Sequence, residues 1–165
     1  IFNILGPLLN PYQPKKQWIG TPFKSFMPLM EEIGLAIGRE DITVISALDG
    51  LDDVSLNSET LVLNNRKFKT ISNADFGLQK QIQSITNYTP ELRIELGKQL
   101  LQGEGDEYEL SVLLMNIAYF YCEYNKTQNY KESIPYIHDF LKSGKVLSHL
   151  NHYKECIYDY TYTNR

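Results

Sequence analysis

A chain of 165 residues with net charge −4 and 22% charged residues is long enough to bury a core of its own, so neither a disulfide nor a metal is needed for folding. The acidic balance argues against nucleic acid or an anionic membrane as ligand, because binding to phosphate rests on Lys and Arg. Two cysteines, Cys122 and Cys156, are too few for a disulfide scaffold, and no span reaches the roughly 18 apolar residues of a membrane helix.

Residues 1–22 carry Pro7, Pro11, Pro14 and Pro22. Proline fixes φ and removes a donor, so this stretch reads as an extended arm laid on the body through Phe2, Ile4, Leu8 and Trp18. It lacks a basic leader and a small-residue cleavage site, so a cytoplasmic protein is expected. Phe26, Met30, Ile33 and Ile37 recur at helical spacing and predict a helix over 25–37, with Pro28 in its first turn and Gly38 as its stop. ITVISAL (42–48) is β-branched and predicts a strand, closed by the turn DGLDD (49–53). TLVL-NN-RKFKTI (60–71) predicts a hairpin turning at Asn64-Asn65. Its RKFK stretch reads as a charged edge strand that resists aggregation.

From residue 73 onward the pattern is helical. Asn73 is placed to cap a helix over 74–86 carrying Leu78, Ile82 and Ile85. Thr89-Pro90-Glu91 combines a hydroxyl cap, a proline and an acid at the start of a helix running to about Leu101. Leu110, Leu113, Leu114, Ile117, Ala118 and Tyr121 mark the clearest helix. Asn129 and Glu132 have capping-box spacing for a helix over 130–142, which Pro135 should kink or delay. A last helix is predicted over 145–160. Residues 116–144 resemble a tetratricopeptide helix pair in the spacing of Tyr124 and Tyr130. Tyr121 and Phe140 stand where that repeat uses small residues, so the likeness is read as helix-hairpin geometry.

The expectation is an α+β, predominantly α fold in a single domain, 1–165. It comprises the arm (1–22), a helix plus a small antiparallel sheet (23–72, strands about 42–71), and a bundle of about five antiparallel helices (73–165).

Two groups of residues invite a functional reading. HLNHYKEC (149–156) places His149, His152 and Cys156 on one helix face, with His138 on the preceding helix and Cys122 within reach. Imidazole and thiolate are zinc ligands. The spacing matches no zinc signature, and no cofactor is expected, with zinc as the alternative. Residues 40–65 hold six acids and no Lys or Arg. Asp49, Asp52 and Asp53 could hold a divalent cation through oxygen, although the spaced ladder of a calcium loop is missing and an Asp-rich turn is the plain reading.

Cys156, His152 and Asp159 lie one helical turn apart, but mid-helix rather than at a helix N-terminus or a strand-to-helix turn where nucleophiles usually sit, so the expected function is protein binding rather than catalysis. The concrete expectation is an acidic inhibitor, immunity protein or antitoxin that occludes the cleft of a basic toxin or nuclease. Its contacts would be Asp49, Asp52, Asp53 and Glu59, then Glu104, Asp106 and Glu107, with Tyr158, Tyr160 and Tyr162 as aromatic anchors. The alternatives are a zinc or thiol enzyme centred on the last helix and an adaptor module docking through its arm.

Overall fold

The computed structural model describes residues 6–81, 88–127 and 129–163, the last five as backbone. The chain forms two compact units, Ile1–Gln81 and Ile82–Arg165.

The first unit is a layered α/β structure. Strand β1 (Lys16–Gly20), helix α1 (Met27–Ala36), and strands β2 (Asp41–Ala47), β3 (Thr60–Asn64) and β4 (Lys67–Ile71) follow in order, and the sheet runs β1-β2-β3-β4. β1 and β2 are parallel, with Ile19 opposite Val44, and the β2–β3 and β3–β4 pairs are antiparallel. The sheet is therefore mixed, and residues 16–20 of the expected arm are one of its strands. Parallel partners must be joined by a crossover, which α1 supplies. This helix packs on the sheet through Met27 and Met30 against Ile19, Ile42, Val44 and Leu63, with Leu8 closing the cluster. Gly34 lets it approach closely, since a Cβ there would lie 2.2 Å from Ile42 Cδ1. On the other face of β2 and β3, Ile45, Ala47 and Val62 are buried too. Burial of both faces is why β2 reads as an unbroken apolar run.

Buried Arg39 ties the start of the chain to this sheet. Its Nε donates to Gln17 Oε1 at 2.8 Å and its Nη2 to the Leu8 carbonyl at 3.0 Å. The hairpin turns at Asn65-Arg66, both at positive φ (51° and 60°), one residue later than the sequence suggests. Two left-handed residues in a two-residue loop are the type I′ geometry that matches strand twist.

The expected helix over 74–86 is not present across residues 73–81. Ser72 and Asp75 form a capping box, but the turn it starts (Asn73–Phe76) is a short 3-10 turn stopped by left-handed Gly77 (φ 69°). Residues 82–87, with Ile82 and Ile85, lie outside the described residues.

The second unit holds α2 (Pro90–Leu100), α3 (Glu107–Tyr124), α4 (Tyr130–Lys142) and α5 (Lys145–Thr163). Thr89 Oγ1 caps α2 by accepting from Leu92 N, and Asp106 caps α3 by accepting from Tyr108 N and Glu109 N. Leu114, Met115, Ala118, Tyr119 and Cys122 of α3 are buried, as are Tyr130, Ile137 and Leu141 of α4. These two helices form the hairpin that the sequence suggested. Asn129 makes no side-chain cap, and Pro135 lies inside α4. The fold as a whole is not a small sheet beside a bundle of five antiparallel helices. It is an α/β arrangement with a mixed sheet, followed by four helices among the described residues. No helix among the described residues is long and apolar enough to cross a membrane.

Candidate functional site

In open α/β sheets, ligands gather at the carboxyl ends of parallel strands. Here β1 and β2 end at Gly20 and Ala47, and the acid-rich turn 48–53 follows β2 directly. Gly50 N donates to the Ala47 carbonyl at 3.1 Å, Ala47 N to the Leu51 carbonyl at 3.0 Å, and Leu48 N to the Glu59 carbonyl at 2.9 Å. The turn folds back over the end of β1. A Cβ on Gly20 would stand 1.7 Å from the Asp52 carbonyl oxygen, so only glycine admits this approach. Next to it, buried Thr21 donates its N–H to the Ile45 carbonyl at 2.9 Å and accepts at Oγ1 from Phe23 N at 3.3 Å.

The three aspartates of the turn have different tasks. Asp49 is structural: its Oδ2 accepts from Ser55 Oγ at 2.6 Å. That hydroxyl in turn accepts from Asn57 N and Ser58 N, both at 3.1 Å. Ser55 N donates to Thr60 Oγ1 at 3.0 Å, and Val54, Ser55 and Leu56 are buried beneath the turn. Asp52 and Asp53 are exposed. Partial desolvation, and then the charge of Asp52 beside it, raise the Asp53 carboxyl above its ordinary pKa. A pair of carboxylates in mutual repulsion is a donor set for a hard cation, which relieves the repulsion it meets.

Glu59 is exposed just before β3. In the second unit, Asp106 is spent on capping α3, and Glu107 lies in that helix's first turn, where negative charge meets the positive helix end. Glu104 is exposed in the preceding turn, and Tyr158 is exposed on α5. The side chains of Tyr160 and Tyr162 lie outside the described residues. His138 Nε2 is 2.9 Å from the Gly103 carbonyl, and Cys122 is buried with its Sγ 3.6 Å from Ser133 Oγ. His149 and His152 line one open cleft, and Cys156 Sγ lies 3.7 Å from His152 Nε2. Among the described residues, no three His, Cys, Asp or Glu side chains are grouped to hold a metal. Sequence reasoning missed Gly20 and Thr21. Their one signal was an isolated IGT after an aromatic in a stretch that looked like an arm.

Residues 1–147 match the glycosyl transferase family, a/b domain. The chain belongs to that family. Among curated members, the anthranilate phosphoribosyltransferase of Francisella philomiragia is 34% identical over 151 residues, which are 88% of this chain and 44% of that protein. The Pseudoalteromonas translucida enzyme of the same name is 30% identical over 156 residues, 92% of this chain and 44% of the relative. The chain thus spans a little under half the length of these relatives. Among solved structures, the Saccharomyces cerevisiae anthranilate phosphoribosyltransferase in complex with PRPP and Mg matches with a TM-score of 0.79 at 28% identity, over 92% of this chain and 45% of that one. A Thermus thermophilus structure of the same fold gives a TM-score of 0.76 at 23% identity.

Membership of a glycosyl transferase family overturns the expectation of an inhibitor, immunity protein or antitoxin bound to a basic protein, for its relatives are enzymes named for a small-molecule reaction. The physical error lay in the acids. Their excess over 40–59 was read as a docking face. Asp49 is instead a brace within a turn, and Asp52 lies against Gly20 at the strand end where an α/β fold places a ligand, with Asp53 next in the chain. Asp106 and Glu107 likewise serve the start of a helix.

Proposed function

We propose that the chain is part of an anthranilate phosphoribosyltransferase, with the Asp52–Asp53 pair as its magnesium-holding side. In that reaction the amine of anthranilate forms a C–N bond to the ribose carbon of PRPP, the C–O bond to pyrophosphate breaks, and the amine nitrogen gives up a proton. Family membership and the named relatives support the reaction class. The observation that carries the site is the seating of Asp52 over Gly20, with exposed Asp53 next to it in the chain, at the carboxyl ends of the parallel pair.

The donor set suits the ion. Magnesium takes oxygen ligands and keeps several waters, so it is commonly bound by one or two carboxylates together with substrate phosphates rather than by a protein cage. Two exposed carboxylates with no third acid, His or Cys grouped beside them among the described residues fit that habit. The chemistry such an ion supplies is neutralisation of charge on the departing pyrophosphate oxygens. Asp52 and Asp53 would hold it. Asp49 would fix the turn through Ser55, with the pair left exposed. A reaction on water-soluble phosphorylated metabolites suits the cytoplasm, which is the location we propose.

Calorimetric titration of PRPP into the chain tests this reading. Binding should require Mg2+, vanish with chelator, and fall at least tenfold in Asp52→Asn and in Asp53→Asn. Binding that is indifferent to Mg2+ and to both substitutions would refute the assignment.

A further inference from the structure

A cleft that the proposed reaction does not use lies at the opposite end of the sheet from Asp52. Thr43 pairs with Asn64, so the β3–β4 turn stands beside the start of β2, whereas the acid-rich turn follows the end of β2. Between α1 and this hairpin is a cavity of about 300 Å³, the lower end of the range that holds small molecules.

Its lining includes a buried carboxylate with few partners. Glu31 on α1 is 3% exposed. Its Oε1 accepts from Arg66 N at 3.0 Å, which fastens the left-handed turn to the helix. Among the described residues this is the carboxylate's one hydrogen bond, and it makes no ion pair. An ionised carboxylate offers about four acceptor sites. A buried charge is costly unless it is paired, and a buried polar group with unused capacity calls for a partner. A cationic donor in the cleft would supply one. Exposed Glu32, next on the helix, adds a second negative charge to the lining.

The lining also holds a cation. Arg66 borders the cleft, and its guanidinium has no ion pair or hydrogen bond among the described residues, so its donors are available to a carboxylate. The remaining surface is apolar. Leu63 is buried, while Leu35 and Phe68 leave much of their side chains bare, Phe68 at 56% exposure. A simple cation would meet Arg66, and a simple anion would meet two carboxylates. The ligand that suits the whole lining carries an ammonium, a carboxylate and an apolar group on one small frame.

We propose that the cleft between α1 and the β3–β4 hairpin binds a free α-amino acid with a large apolar side chain. Its ammonium donates to Glu31 with Glu32 beside it, its carboxylate accepts from Arg66, and its side chain packs on Leu35, Leu63 and Phe68. Binding is reversible and forms no covalent bond. The cleft shares no residue with the proposed magnesium side, so the two readings stand or fall separately.

Titration of the full 165-residue chain with L-phenylalanine, followed by amide NMR, tests the proposal. Saturable shifts at Glu31, Arg66 and Phe68 are the expected result. Phenethylamine lacks the carboxylate and 3-phenylpropanoate lacks the ammonium, so each should bind about tenfold or more weakly than the amino acid, because hydrogen bonds between charged groups are the strong ones. Glu31→Gln removes the charge and keeps an oxygen for Arg66 N. Arg66→Asn removes the guanidinium and keeps a residue that tolerates the left-handed turn. Each should weaken L-phenylalanine by about tenfold, and circular dichroism checks that both variants are folded. No saturable binding by the parent chain, phenethylamine binding as tightly as L-phenylalanine, or affinity unchanged in both variants would overturn the proposal. Mg2+-dependent PRPP binding by Glu31→Gln should match that of the parent, which separates this outcome from any failure of the transferase reading.

Discussion

Gly20→Ala addresses the junction on which the proposed site rests. The added Cβ would sit 1.7 Å from the Asp52 carbonyl oxygen and 2.7 Å from its carbon. Both are backbone atoms, so no side-chain rotation relieves the overlap. Either β1 and the turn separate, or the unit carries the strain. Forcing atoms into a packed site costs about 1–3 kcal/mol. For a unit of this size about 1 kcal/mol lowers Tm by roughly 4–8 °C, so a fall on the order of 10 °C is expected. Gly34→Ala is the internal control. Its Cβ would meet Ile42 Cδ1 at 2.2 Å, the tip of a side chain that can turn, and alanine returns about 0.8–1 kcal/mol of helix propensity. Its Tm should move less. Thermal unfolding by circular dichroism, followed by Mg2+-dependent PRPP titration, reads both consequences. If Gly20→Ala keeps both its Tm and its binding, the close approach does not position Asp52, and the reasoning fails.

Three further outcomes follow from the same geometry. Asp53 has a raised folded-state pKa; such a group favours the folded state below its unfolded pKa, and that contribution is lost as pH rises through the folded value. In chelator, Asp53→Asn should therefore melt higher than the parent at pH 7, with the gap closing below the ordinary carboxylate range near pH ~4. Asp106→Ala removes two accepted N–H bonds at the start of α3 and should cost about 1 kcal/mol, whereas Asn129→Ala, whose side chain caps nothing, should be nearly neutral by urea denaturation. Gly97→Ala, inside α2 with open space around its Cβ, should stabilise by about 0.8–1 kcal/mol and raise Tm.

Local signals in the sequence carried far. The helix at Thr89-Pro90, the stop at Gly38, the β-branched run of β2 and the α3–α4 hairpin were all legible, because caps, turns and periodicity act over a few residues. β1 was not. KQWIG pairs with a strand 25 positions along the chain, and parallel pairing leaves no turn signal between partners. The prolines around it pointed to an arm. Leu78 has helical spacing with Ile82 and Ile85, which lie outside the described residues, and a left-handed glycine at 77 stops the turn before it. The acid pair was singled out from composition as a contact for a basic protein, with a divalent cation and a plain Asp-rich turn named beside it, and the basic partner is the reading that family membership overturns. Its meaning depends on lying at the end of a parallel strand pair, which appears only once β1 is known to be a strand. No phosphate-cradling glycine motif marks the site, so the reaction class came from family membership rather than from residue spacing.

The most direct test of the account is to place the metal. Crystals of the chain grown with PRPP and Mn2+, standing in for Mg2+, would show the ion by anomalous scattering. The account predicts a peak about 2.1 Å from carboxylate oxygens of Asp52 or Asp53, with Asp49 still bonded to Ser55. PRPP bound with its ion away from both carboxylates would contradict it.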